Sequence, residues 1–257
     1  MKKHVISIFS LIFFLSFNLF AQESEMNPEA AKLYNEGNKL SKSGNFSGAL
    51  ESYQSALNIS KDHRIYYQIS SVYKKQRKFE DAEKALKSAI ELKPDFDLAF
   101  NSLGTTYYSW GKYDLALDNF MKFKELSKDK KFKEQAEKYI SLAYTKLGED
   151  QLKNRNYEKA IENLKNAISS YNYDAAYLKL ADAYIELGEY NEALEAADNA
   201  IKYREKKSQI PKGAAYFYKG LAFKGLNDTE KAKENFKIAS TDKIYKDRSN
   251  HEIKYMN

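Results

Sequence analysis

The chain has no cysteine, three prolines, three histidines and one tryptophan in 257 residues. The missing thiols exclude a disulfide framework, a cysteine zinc site, a thiol nucleophile and a lipidated cysteine. His4, His63 and His251 have no metal-ligand spacing, and neither a P-loop nor a dinucleotide-binding glycine pattern occurs. No catalytic, metal or cofactor-binding residue is therefore assigned, and the chain reads as a non-enzyme. Apolar runs are also scarce, and a mean hydropathy of −0.71 excludes a polytopic membrane protein. What is there, 43% hydrophobic and 30% charged residues, suffices for a packed core.

One apolar run does occur, from Val5 to Phe20, with Lys2 and Lys3 before it and Ala21 after it. At 16 residues it is shorter than the roughly 18 to 20 that span a bilayer, and the layout is that of a secretory signal peptide over 1–21. Cleavage is expected between Ala21 and Gln22, although Leu19 is larger than the small residue usual two places before the last one removed. Residues 22–29 then form a short linker and helix cap. Losing Lys2 and Lys3 leaves 40 basic against 36 acidic residues, a charge of +4 that implies no particular polyanion. The expected destination is the periplasm, with no membrane insertion after cleavage. Secretion, or anchoring by an uncleaved segment, is the alternative.

Alanines followed four and seven positions later by further core residues recur six times. The sets are Ala49/Tyr53/Ala56, Ala82/Leu86/Ala89, Ala116/Phe120/Phe123, Ala160/Leu164/Ala167, Ala193/Ala197/Ala200 and Ala232/Phe236/Ala239. Their leading alanines lie 33, 34, 44, 33 and 39 residues apart, which is the period of a two-helix repeat with two insertions. Twelve residues before each stands Gly37, Ser70, Gly104, Gly148, Ala181 or Gly220. Three residues before it stands Phe46, Phe79, Tyr113, Tyr157, Tyr190 or Thr229. A turn such as Ser-Gly-Asn, Trp-Gly-Lys or Leu-Gly-Glu lies between, so each unit reads as helix, tight turn, helix.

This pattern resembles the tetratricopeptide repeat (TPR), most fully over residues 98–126. The resemblance implies an all-α, right-handed α-solenoid with units at 30–62, 63–96, 97–130, 141–173, 174–207 and 213–241. Tail residues 242–257 would supply a short capping helix, since a last repeat otherwise exposes an apolar side. Asn27-Pro28-Glu29 predicts the first helix start. Residues 128–140 carry apolar positions at helical intervals that continue into the fourth unit, which predicts an extended first helix there. Residues 204–213 read as a basic loop ending near Pro211. Only Pro94 supplies the proline that usually closes a repeat in this family.

The same resemblance places Tyr34, Asn38, Tyr67, Gln68, Ser71, Asn101, Thr105, Tyr108, Phe217 and Tyr218 along the concave groove. It implies a protein or peptide partner held by aromatics with neighbouring amides and hydroxyls. Eleven of the 21 tyrosines, including Tyr53, Tyr66, Tyr73, Tyr107, Tyr177, Tyr184 and Tyr190, are taken up by framework positions. The lysine-, asparagine- and arginine-based clamp by which some members hold acidic C-terminal tails is not reproduced. Its positions carry Tyr34, Asn38, Gln68, Leu98 and Ser102. The basic run at 74–78 does not argue for nucleic acid, because only five arginines occur in the whole chain. Residues 174–200 carry −6 and 201–220 carry +5, either a solvated surface or a polarised docking face. The expected function is an exported binding scaffold in cell-envelope assembly or maintenance. Its rivals are a membrane-anchored envelope-complex subunit and a glycan-binding accessory subunit.

Overall fold

A computed structural model describes residues 25–256 apart from Lys207. The expected signal segment, with Ala21 and Gln22, lies outside the described residues. Within them the chain forms thirteen helices and no strand. In order these are α1 (Pro28–Lys42), α2 (Phe46–Ile59), α3 (His63–Lys75), α4 (Phe79–Leu92), α5 (Asp97–Trp110), α6 (Tyr113–Leu126) and α7 (Lys130–Lys153). They continue as α8 (Tyr157–Ser170), α9 (Asp174–Leu187), α10 (Tyr190–Lys202), α11 (Gly213–Gly225), α12 (Thr229–Ala239) and α13 (Lys246–Lys254). Each helix packs on its neighbours in the chain, and α9 also touches α7 and α11, giving an α-solenoid of stacked pairs.

The start of α1 follows from its residues. The Asn27 side chain accepts from the backbone N–H groups of Glu29 (2.9 Å) and Ala30 (3.3 Å), and Pro28 occupies the first turn, where a missing N–H costs nothing. Each pair then reverses through one residue of positive φ. Gly44, Gly111 and Gly188 fill that position in the first, third and fifth pairs, while Arg77, Arg155 and Asn227 are forced into it in the others.

Close approach of the two helices in a pair explains the small residues. All six leading alanines are fully buried. A Cβ added at Gly104 would lie 2.6 Å from the Phe120 ring, and one at Gly37 would lie 2.5 Å from Tyr53. Where the opposing residue is Ala197 rather than a ring, the small position is Ala181, and both pack in one cluster. The aromatic that opens the second helix of a pair reaches the next pair. Phe79 stacks on Trp110 at 6.0 Å, and the Tyr190 ring occupies the space beside Gly225.

Both insertions are structured. At 24 residues α7 is ten longer than α5 or α9, about 15 Å of extra helix, so residue 141 falls inside it. The loop between α10 and α11 is tied back onto this longer helix. One Glu205 carboxylate oxygen accepts from Lys138 Nζ (3.1 Å) and from the Tyr171 hydroxyl (2.8 Å), while Ser208 donates to the buried Asp174 carboxylate. At the far end α13 covers the last pair. Tyr245 and Arg248 lie 5.2 Å and 4.5 Å from the Phe217 ring, and Lys224 pairs with Glu252 at 2.6 Å.

Candidate functional site

The odd-numbered helices α1 to α11 carry the side chains expected to line the groove, and the two halves of that strip differ in chemistry. In the first half, Gln68 Nε2 donates to the Tyr34 hydroxyl across α1 and α3 at 3.4 Å. Tyr67 packs against Phe96 at 5.4 Å and Tyr108 against Tyr113 at 5.4 Å. Both rings are half-buried, and burial raises both phenol pKa values. Neither hydroxyl makes a hydrogen bond among the described residues. Ser71 donates to the Tyr67 carbonyl at 3.2 Å, and Thr105 donates to the Ser102 carbonyl at 3.0 Å. The amide oxygen of Asn101 is buried without a partner.

In the second half, charged groups satisfy one another. Lys146 pairs with Glu149 at 2.6 Å, and Lys179 approaches the same carboxylate at 3.6 Å. Burial raises the pKa of the Asp182 carboxyl, against the pull of Lys179 and a hydrogen bond from the Tyr218 hydroxyl. Tyr218 is itself held above the ordinary phenol range, chiefly by burial. A ligand here would have to break an existing pair.

Phe217 does not belong to the groove. It is 2% exposed, enclosed by Phe236, Tyr245 and the Arg248 guanidinium. The cap α13, which repeat equivalence alone does not predict, removes it from solvent. Asn38 is partly committed too, because its side-chain oxygen accepts from the Tyr53 hydroxyl at 2.7 Å. Tyr34, Tyr67, Gln68, Ser71, Asn101, Thr105 and Tyr108 lie on the three successive helices α1, α3 and α5.

Two pairs of framework tyrosines line clefts. Tyr66 and Tyr73 line a cleft of about 260 Å³ with Gln54, Leu57, Asp81 and Lys84. Tyr177 and Tyr184, 111 residues further on, line a matching cleft of about 280 Å³ with Lys165, Ile168, Glu192 and Glu195. Both open on the side of the even-numbered helices. Among the described residues no group of His, Cys, Asp or Glu could hold a metal ion, and no helix is long and apolar enough to cross a membrane.

The tetratricopeptide-repeat profile matches residues 63–96 and 99–130, two units that coincide with α3–α4 and α5–α6. These two units are tetratricopeptide repeats. Residues 130–252, from the first residue of α7 into α13, match a second profile, Domain of Unknown Function (DUF3856). The Hsp70-Hsp90 organizing protein of Triticum aestivum is 28% identical over 232 residues, covering 78% of this chain and 39% of that protein. The DnaJ homolog subfamily C member 3 of Gallus gallus is 26% identical over 206 residues, covering 77% and 41%. The chain thus spans about two-fifths of the length of these curated relatives. Two solved structures show the same TPR fold. YrrB, described as a TPR protein with an unusual peptide-binding site, superposes with a TM-score of 0.51 at 18% identity, over 79% of this chain and 97% of that one. A double mutant of MamA gives 0.52 at 17% identity, over 70% and 96%.

Lys74 is absent from the residues that sequence reasoning placed along the groove. It sits three residues beyond Ser71 and seven beyond Tyr67, on the same face of α3. That spacing was the available signal, and the charge run around it concealed it.

Proposed function

We propose that the chain is an exported, non-enzymatic TPR scaffold that binds an extended protein segment along α1, α3 and α5. Its role would lie in cell-envelope assembly or maintenance. The observation that carries the reading is the contrast between the halves of the strip. Half-buried tyrosines with unpaired hydroxyls occupy the first, and paired charges occupy the second. Aromatic rings supply contact area at small entropic cost, and unpaired polar groups beside them bond a peptide backbone. The Hsp70-Hsp90 organizing protein and YrrB, named for partner organisation and for a peptide-binding site, support peptide recognition as the shared activity.

A photo-cross-linking residue placed at Ser71 tests this in the native host. It should capture a discrete partner that the same probe at exposed Asp118 does not. Equal labelling from both positions would remove the groove assignment. Export rests on the segment before the described residues, and N-terminal peptide mapping of the native protein decides it. The expected first residue is Gln22; recovery of intact Met1 in the membrane fraction would replace export with anchoring.

A further inference from the structure

Lys74 lies near the end of α3 and reaches across to α5, and its surroundings are neutral. Its ammonium lies 2.6 Å from Thr105 Oγ1, 3.4 Å from Ser102 Oγ and 3.5 Å from the Ser102 carbonyl, and it has no carboxylate partner among the described residues. Lys146, Lys179 and Lys224, on the neighbouring stretch of the same strip, each have one. Burial alone pulls the Lys74 pKa down to about 8, with no charge nearby to oppose it. A buried ammonium served only by hydroxyl and carbonyl oxygens costs the fold stability. The cost falls between α3 and α5, on the two helices that also carry Tyr67 and Tyr108.

We infer that Lys74, with Ser102 and Thr105, forms a subsite for an aspartate or glutamate side chain of an extended peptide. The inference rests on the proposed peptide-binding groove and narrows its partner to segments with an internal acidic residue. The ligand carboxylate would take the N–H directions now spent on the two longer Ser102 contacts, while Thr105 keeps the short one. Tyr67, one helical turn before Ser71, and Tyr108, one turn after Thr105, would flank the acidic residue with ring contacts. An internal side chain fits better than a chain terminus, because a terminal carboxylate would need a second cation and none acts on Lys74 among the described residues.

The test uses the full chain and a phage library of twelve-residue peptides whose C-termini are fused to the coat protein, so that no terminal carboxylate is free. Selection should enrich peptides with Asp or Glu at one position. An amidated synthetic copy should bind roughly tenfold more tightly than its Asn or Gln twin, the value of about one charge-assisted hydrogen bond. Lys74→Met and Lys74→Gln should erase that difference, so that each variant binds the acidic peptide and its neutral twin equally. A thermal midpoint no lower than that of the unmodified chain shows that the variants fold. Equal binding of the twins, or an acid preference that survives in both variants, would overturn the subsite and leave the groove standing. An acid preference seen only with a free C-terminus would move the recognition to a chain end and also overturn it. Enrichment of no peptide at all would overturn the groove, and the subsite with it.

Discussion

At Gly104 a single hydrogen atom is the whole side chain, and the spacing of α5 and α6 depends on it. A Cβ there would stand 2.6 Å from the Phe120 ring, which is itself 1% exposed and has nowhere to retreat. Gly104→Leu and Ala116→Leu are each expected to lower stability by roughly 1 to 3 kcal/mol through overpacking. Asp118, exposed on the same pair, is the proper control, and Asp118→Ala should change stability by less than about 0.5 kcal/mol. Lys112 is a poorer one, since its ammonium sits 3.3 Å over the Trp110 ring. Chemical denaturation of the four proteins measures this, and equal losses at all three sites would show that the helix register is wrong.

At the scale of elements, the reversal inside each pair stores strain in some repeats and not in others. Arg77 and Arg155 hold φ of 58° and 59°, where the first, third and fifth pairs place glycine. A residue that carries a Cβ costs on the order of 1 kcal/mol in this left-handed region. Arg77→Gly and Arg155→Gly should therefore each raise stability by about 0.5 to 1 kcal/mol, and Gly111→Ala should lower it by a similar amount. A denaturation midpoint that falls in both arginine variants would mean that the side chains hold the turns by contacts stronger than this strain.

The elements were largely legible in the sequence because each repeat writes its own constraints locally. The alanine spacing gave the period, the glycines opposite large rings gave the helix pairs, and Asn27-Pro28 gave the first cap. The extension of α7 was readable from Phe132, Ala136 and Tyr139. The groove was less so, because burial there depends on what packs from elsewhere. Phe217 holds a groove position in its own repeat, yet α13 closes over it. Lys74 lies in a run of surface-like charges, yet it is covered where α3 meets α5. Tyr66 and Tyr73 match framework positions, yet the even-numbered helices leave a cleft beside them. In each case the decisive neighbour is a different repeat or the cap, which a single repeat's pattern does not encode.

For the whole molecule, two sets of buried groups oppose each other as pH rises. With Lys74 held down to about 8 by burial, the unfolded chain binds the extra proton between that value and the ordinary lysine range, so stability rises with pH there. Tyr53, raised to about 12, and Tyr107 and Tyr218, raised further, all chiefly by burial, act the other way. Above about pH 10 the unfolded phenols ionise first and stability falls. The thermal midpoint should climb from pH 8 toward about 10 and then drop, and Lys74→Met should lose the climb but keep the drop. A midpoint that falls steadily from pH 8 in the unmodified chain would contradict the burial of Lys74.

The claim on which the functional reading turns is that Tyr67 and Tyr108 serve a ligand while Tyr190 serves the fold. Tyr190 fills the space against Gly225 between the fifth and sixth pairs, whereas the other two rings leave their hydroxyls unpaired in the groove. The direct measurement is affinity for the captured partner or selected peptide, together with the thermal midpoint, in Tyr67→Ala, Tyr108→Ala and Tyr190→Ala. The first two should each lose about 1 to 3 kcal/mol of binding with a midpoint near that of the unmodified chain, while the third should lose stability and retain affinity when folded. Unchanged affinity in the first two, or unfolding as severe as in the third, would return both tyrosines to the core and contradict the binding strip.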